Sequence, residues 1–147
     1  MSINLGDLSI FEAFKSHPFG FIDVGARGQI HHLIDPISDL TSVVAFEPDN
    51  EECDRLRNSN LNTKKYAELE VYPYAISNSN DGGILNVLDS AINSSLLPPN
   101  VKFADRYAIP GYKVAFTRDI ETRTLDSFLT IDNIYKPLGE LIKIDVQ

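Results

Sequence analysis

The residues best suited to chemistry stand where apolar runs end. In "FIDVGARGQIHHL" (21–33) an apolar stretch closes on Asp23 and breaks at once into Gly25, Ala26, Arg27 and Gly28. The two glycines let the backbone turn sharply and approach a ligand closely, and a helix starting just after them offers free N–H groups to an anion. Asp23 can hold such a loop or accept a ligand ammonium. Arg27 can pair with a ligand carboxylate through a charge-assisted bond or stand solvated at the helix start. A second apolar run, "SVVAFEP", closes on Glu47. An acid at the end of a second strand, roughly twenty residues beyond a glycine turn, accepts hydrogen bonds from ribose hydroxyls. Each glycine taken alone is equally served by a plain turn. Their pairing with Glu47 points to a cofactor containing adenosine.

These residues need a sheet to hold them. "GFIDVG" and "SVVAFEP" lack alternation and read as strands buried on both faces, the signature of a parallel sheet. Between them "GQIHHLIDPISDL" sets Ile30, Leu33, Ile34 and Ile37 on a helical stripe that Pro36 must kink or end, which makes a βαβ unit. Asp49 or Asn50 caps a helix through "EECDRLRN" that turns Cys53, Leu56 and the stem of Arg57 to the sheet. "LEVYPYAIS" reads as a third strand. "NSNDGG" is a turn, "ILNVL" a short strand, and "NSSLLPPNVKFADRYAIPG" a long loop of the kind that often bears function. "YKVAFTRDIETRTLDSFL" reads as one or two extended strands joined near Arg118-Asp119 and running into a short helix, and "ELIKIDV" as a last apolar strand. At the other end, "DLSIFEAFK" is a short packing helix behind an Asp7 cap, stopped by His17-Pro18. The final strand needs a neighbour and a covering helix, yet the chain stops at Gln147. The expectation is a chain truncated at its C-terminus, or a short protein that pairs its open sheet edge with another copy.

Length and composition narrow the classes. A chain of 147 residues fits one compact domain or part of a larger one, and 43% hydrophobic residues match an ordinary soluble globular protein. Thirteen basic residues against 21 acidic ones leave a net charge of -8, a field that repels phosphate backbones and argues against nucleic acid. The single cysteine, Cys53, forms no intrachain disulfide, and no Cys/His spacing resembles a zinc site, so no metal is expected and a reducing cytoplasm fits. The N-terminus has no basic region ahead of an apolar stretch, and no apolar run approaches the roughly 18 residues of a membrane span. The Asn93-Ser94-Ser95 sequon is read as chance.

Taken in order, "FIDVGARG", "VVAFEPDNEECDRL", "YPYAIS", "TLDSF" and "LIKIDVQ" resemble the successive motifs of FkbM-type S-adenosylmethionine-dependent methyltransferases, from about Phe21 to Gln147. The resemblance implies an α/β, Rossmann-like class I methyltransferase fold, a mostly parallel sheet with flanking helices that is incomplete at the C-terminus. Residues 1–147 then form a single methyltransferase-like domain with the helical segment 1–19 packed on it. The loop of Asp23, Gly25, Ala26, Arg27 and Gly28 cradles the methionine portion, Glu47 holds the ribose, and Ala75, Ile76 and Ser77 lie by the adenine. Asp145, ending "IKID", faces the methyl-transfer site. Two departures stand out: Gln29 occupies a position where the family commonly has glycine, and family members continue after "DVQ" with a glycine, an acid and further strands.

The implied reaction is O-methylation of a hydroxyl on a sugar or small metabolite, with a small-molecule or glycan partner. Methyl transfer asks mainly for in-line positioning and desolvation, because the sulfonium is already activated. A hydroxyl acceptor gains from a general base, for which Asp145, His31 and His32 are candidates. Ser94 and Ser95 contact substrate or form a lid, or serve as turn residues. Two rival readings remain: a nicotinamide-dependent oxidoreductase, against which the loop lacks the full G-x-G-x-x-G pattern, and a noncatalytic Rossmann-like fragment that binds a partner through its open edge.

Overall fold

The computed structural model describes residues 9–59, 62, 64–131 and 139–146. Helix α1 (Ser9–Ser16) leads into β1 (Phe19–Val24), and a 3-10 segment (His32–Leu40) into β2 (Thr41–Phe46). Helix α2 (Asn50–Asn58), β3 (Glu68–Tyr72), β4 (Ala75–Ile76) and β5 (Gly83–Leu88) follow. A 3-10 turn (Ala91–Asn93), helix α3 (Val101–Arg106), β6 (Val114–Ile120), β7 (Thr122–Arg123), α4 (Leu125–Ile131) and β8 (Leu141–Ile144) complete the described elements.

The expected central parallel sheet is present, in the order β3-β2-β1-β8. β1 and β2 are its buried centre, so their sequences show apolar residues without alternation, and the pleat divides them between two cores. Phe21, Val43 and Ala45 face one layer with Ile34, Cys53 and Leu56. Ile22, Val24, Val44 and Phe46 face the other, where Phe128 of α4 meets Phe46 edge-on at 4.9 Å. The sheet grows from β1 through β2 to β3, and β8 then lands on the opposite side of β1. Strand order therefore reverses between β1 and β8, and a crevice opens at their carboxyl ends.

Asp49 caps α2 as expected, its Oδ1 accepting from the Glu51 and Glu52 N–H groups at 3.1 and 3.5 Å. Cys53 and Leu56 are buried, and the Arg57 guanidinium donates to the Val71 carbonyl at 2.6 Å. Helix α1 ends at Ser16, just before His17-Pro18, while its expected Asp7 cap lies outside the described residues.

Four expectations are corrected. The segment after the glycine turn is a 3-10 run with Ile37 in non-helical geometry (φ -129°), so Ile30 and Ile34 are buried but Leu33 is 56% exposed. Pro36, which has no N–H to donate, and the non-helical Ile37 break the run before an amphipathic α-helix can form. "LEVYPYAIS" is two strands: Pro73 cannot donate to the ladder, and β4 leaves the central sheet to pair with β7. β6 runs straight through Arg118-Asp119, and the break before β7 falls at Glu121. The long loop contains α3, capped by Asn100, whose Oδ1 accepts the Phe103 N–H at 3.0 Å. β5 and β6 form an antiparallel hairpin that carries this insertion.

Candidate functional site

The glycine turn is clamped from both sides. Gly25 and Ala26 both donate their N–H groups to the Phe46 carbonyl, at 3.0 and 3.1 Å, and Asp145 donates to the Val24 carbonyl at 3.1 Å. Gly25 adopts φ +78°, and a Cβ there would collide with the Asp145 carbonyl oxygen. Only glycine meets both demands.

Asp23 holds this turn from behind. Its side chain is 0% exposed, Oδ2 accepts the His31 N–H at 2.9 Å, and Oδ1 lies 3.1 Å from the Lys143 ammonium. Gly28 is held likewise: its N–H donates to Glu52 Oε1 at 2.6 Å, and its carbonyl accepts from Arg55. The Arg55 hydrogen bond, aided by the Gly28 N–H, lowers the Glu52 carboxyl to about 2. Two of the N–H groups that the sequence offers an anion after the turn are engaged within the fold: Gly28 by Glu52 and His31 by Asp23.

Glu47 is 3% exposed at the end of β2. Burial pushes its carboxyl up from the ordinary value, against the Asp49 N–H bonded to Oε1 at 2.9 Å and the Arg27 guanidinium 3.8 Å away. Among the described residues, Oε2 receives no hydrogen bond. Arg27 is paired rather than solvated: its guanidinium lies 3.4 Å from Asp49 Oδ2, while Arg118 reaches Asp49 Oδ1 at 3.4 Å from β6.

A cavity of about 620 Å³ occupies the crevice. Of the residues singled out by sequence, Gly25, Arg27, Glu47, Ala75, Ile76, Ser77 and Asp145 line it. Asp23, Ala26 and Gly28 stand behind the wall. β4 therefore reaches the cavity from its own ribbon, not from the end of the third strand. The opposite wall is the segment Ala91–Leu97. Ser94 there donates to the Ala91 carbonyl at 2.8 Å, and Ser95 Oγ accepts the Leu97 N–H at 3.0 Å, so both brace the turn while lining the cavity.

His31 and His32 stack on each other at 4.5 Å and lie outside the cavity, which removes them as base candidates there. Cys53 is a core residue whose thiol burial pushes up. Sequence reasoning passed over Tyr74, which lines the cavity beneath the Arg123 guanidinium at 5.2 Å, and Lys143. The signal for Tyr74 lay inside "YPYAIS"; Lys143 looked like an ordinary strand residue. Among the described residues no group of three or more His, Cys, Asp or Glu could hold a metal ion, and no helix is long and apolar enough to cross a membrane.

A parallel sheet with a glycine turn on one strand end and a buried glutamate on the next, both at the reversal of strand order, makes this a mixed α/β domain with its crevice where open α/β sheets place their ligands. Residues 23–147 match the Methyltransferase FkbM domain, and the chain belongs to that family of methyltransferases. No curated protein and no solved structure matches the chain.

Proposed function

We propose that this chain is an S-adenosylmethionine-dependent, class I Rossmann-like methyltransferase that methylates a hydroxyl of a sugar or small metabolite. We read residues 1–147 as one domain with 1–19 packed on it, working in the cytoplasm. The observation that carries the reading is Glu47, a buried carboxylate lining the cavity with Oε2 taking no bond from the described residues. The donor set fits the group: the cavity's charged side chains are Arg27, Glu47 and Asp145, an excess of acid that favours a cation. When bound, the cofactor supplies an already activated methyl group on its sulfonium.

In this reading Glu47 accepts the two ribose hydroxyls, and Ala75, Ile76 and Ser77 flank the adenine beside Tyr74. Gly25, Ala26 and Arg27 form the turn against the methionine portion, while Asp23 and Gly28 fix that turn through Lys143, His31 and Glu52. Apolar walls at Val24, Phe46, Leu85 and Leu96 exclude water, which sharpens every charge interaction inside. Asp145, just beyond β8 with a side chain 74% exposed and 3.7 Å from the Lys143 ammonium, is the candidate to take a proton from an acceptor hydroxyl. Calorimetric titration with S-adenosylmethionine, S-adenosylhomocysteine and NAD tests the assignment. Binding of the first two is expected, and binding of NAD alone would replace the methyltransferase with an oxidoreductase.

A further inference from the structure

Lys143 sits in the edge strand β8 with its side chain only 16% exposed. Burying an ammonium is costly unless its donors find acceptors. Three stretches of chain meet it: its hydrogen bond goes to the Gly25 carbonyl at 3.0 Å from the turn, while Asp23 Oδ1 at 3.1 Å from the end of β1 and Asp145 Oδ2 at 3.7 Å from beyond β8 are ion-pair contacts. Neutralising Asp23 alone would not need the Gly25 contact. The same ammonium therefore touches the fully buried acid, the peptide that shapes the cofactor turn, and the acid beside the cavity.

We propose that Lys143 is a positioning residue: it fixes the Gly25–Ala26 peptide against the end of β8 and so holds the cofactor turn in register with Asp145. The neighbouring contacts agree with this. The Ala26 N–H already donates to Phe46, so a second anchor on the Gly25 carbonyl leaves that peptide plane a single orientation. Gly25 also packs against the Asp145 carbonyl, which places the two strand ends in direct contact. The role rests on the cofactor reading above, but its first readout does not.

The test compares Asp23→Asn with the double variant Asp23→Asn/Lys143→Met, so that no unpaired charge is left buried in the second chain. Lys143→Arg is measured beside the wild type. It retains a cation next to Asp23 but cannot seat a planar fork where a compact ammonium bonds the Gly25 carbonyl between two carboxylates. Hydrogen exchange without ligand is read at the Gly25 and Ala26 amides, and S-adenosylhomocysteine affinity by calorimetry. Loss of one charge-assisted bond predicts exchange faster by about tenfold in the double variant than in Asp23→Asn, and affinity weaker by about tenfold. Lys143→Arg should move in the same direction. Unchanged exchange at both amides in the folded double variant and in Lys143→Arg overturns the proposal. If the wild type binds no S-adenosylhomocysteine, the cofactor reading fails, and the exchange comparison still decides the role of Lys143.

Discussion

Replacing Glu47 with Gln separates binding from folding. The carboxyl is 3% exposed, and burial raises its folded pKa above the ordinary value of 4.5. A group with a raised folded pKa holds its proton more tightly in the folded chain than in the unfolded one. The ionised form therefore weakens the fold as pH rises past the unfolded value, and the cost is complete above the folded one. Glu47→Gln removes that cost and retains a carbonyl oxygen for the Asp49 N–H now bonded at 2.9 Å. The free variant should be at least as stable as the wild type near neutral pH. Cofactor affinity should nevertheless fall, because the amide offers no charged acceptor to the ribose hydroxyls. A loss of about 1.5–3 kcal/mol corresponds to roughly ten- to 150-fold in Kd. Calorimetry with S-adenosylhomocysteine reads the affinity, and urea unfolding the stability. A folded Gln variant that binds as tightly as the wild type refutes the ribose role.

Three further outcomes follow from the same contacts. Ribose hydroxyls donating to Glu47 favour its ionised form, so binding should strengthen as pH rises through the raised pKa and should release protons; calorimetry in two buffers of different ionisation enthalpy checks this, and binding that tightens toward acid contradicts it. Gly25→Ala combines φ +78° with a collision against Asp145, so urea unfolding should show a loss of about 1–3 kcal/mol or more. The Glu52 carboxyl, lowered to about 2 chiefly by Arg55, contributes stability that is full above its ordinary value of 4.5 and is lost as pH falls from there toward 2. Acid unfolding of Glu52→Gln should show a shallower fall over that range, and an unchanged acid limb would count against the Arg55 bond and the smaller Gly28 contribution to this carboxylate.

The centre of the fold was legible because β1 and β2 are buried on both faces, so "GFIDVG" and "SVVAFEP" show that burial directly in their composition. Asp23, Gly25 and Glu47 stood out because each interrupts an apolar run at a strand end. Local rules also contained signals that were passed over. Pro73 ends β3 before "YAIS", and Pro99-Asn100 is a helix start that the structure uses for α3. The 3-10 segment after Ile30 was hidden by a helical stripe that its geometry does not honour at Leu33. Lys143 had no local signal, since its partners Asp23 and Gly25 lie at the other end of the chain. Which strand end meets which is a property of sheet order, and periodicity does not encode it.

Amide chemical-shift mapping of the labelled protein titrated with S-adenosylhomocysteine reads whether the cofactor binds in this crevice. Saturable shifts are expected at Gly25, Arg27, Glu47 and Ser77, around the cavity at the reversal of strand order. Shifts confined to the separate pocket between Asp89 and Lys113, or none at saturating ligand, would contradict it.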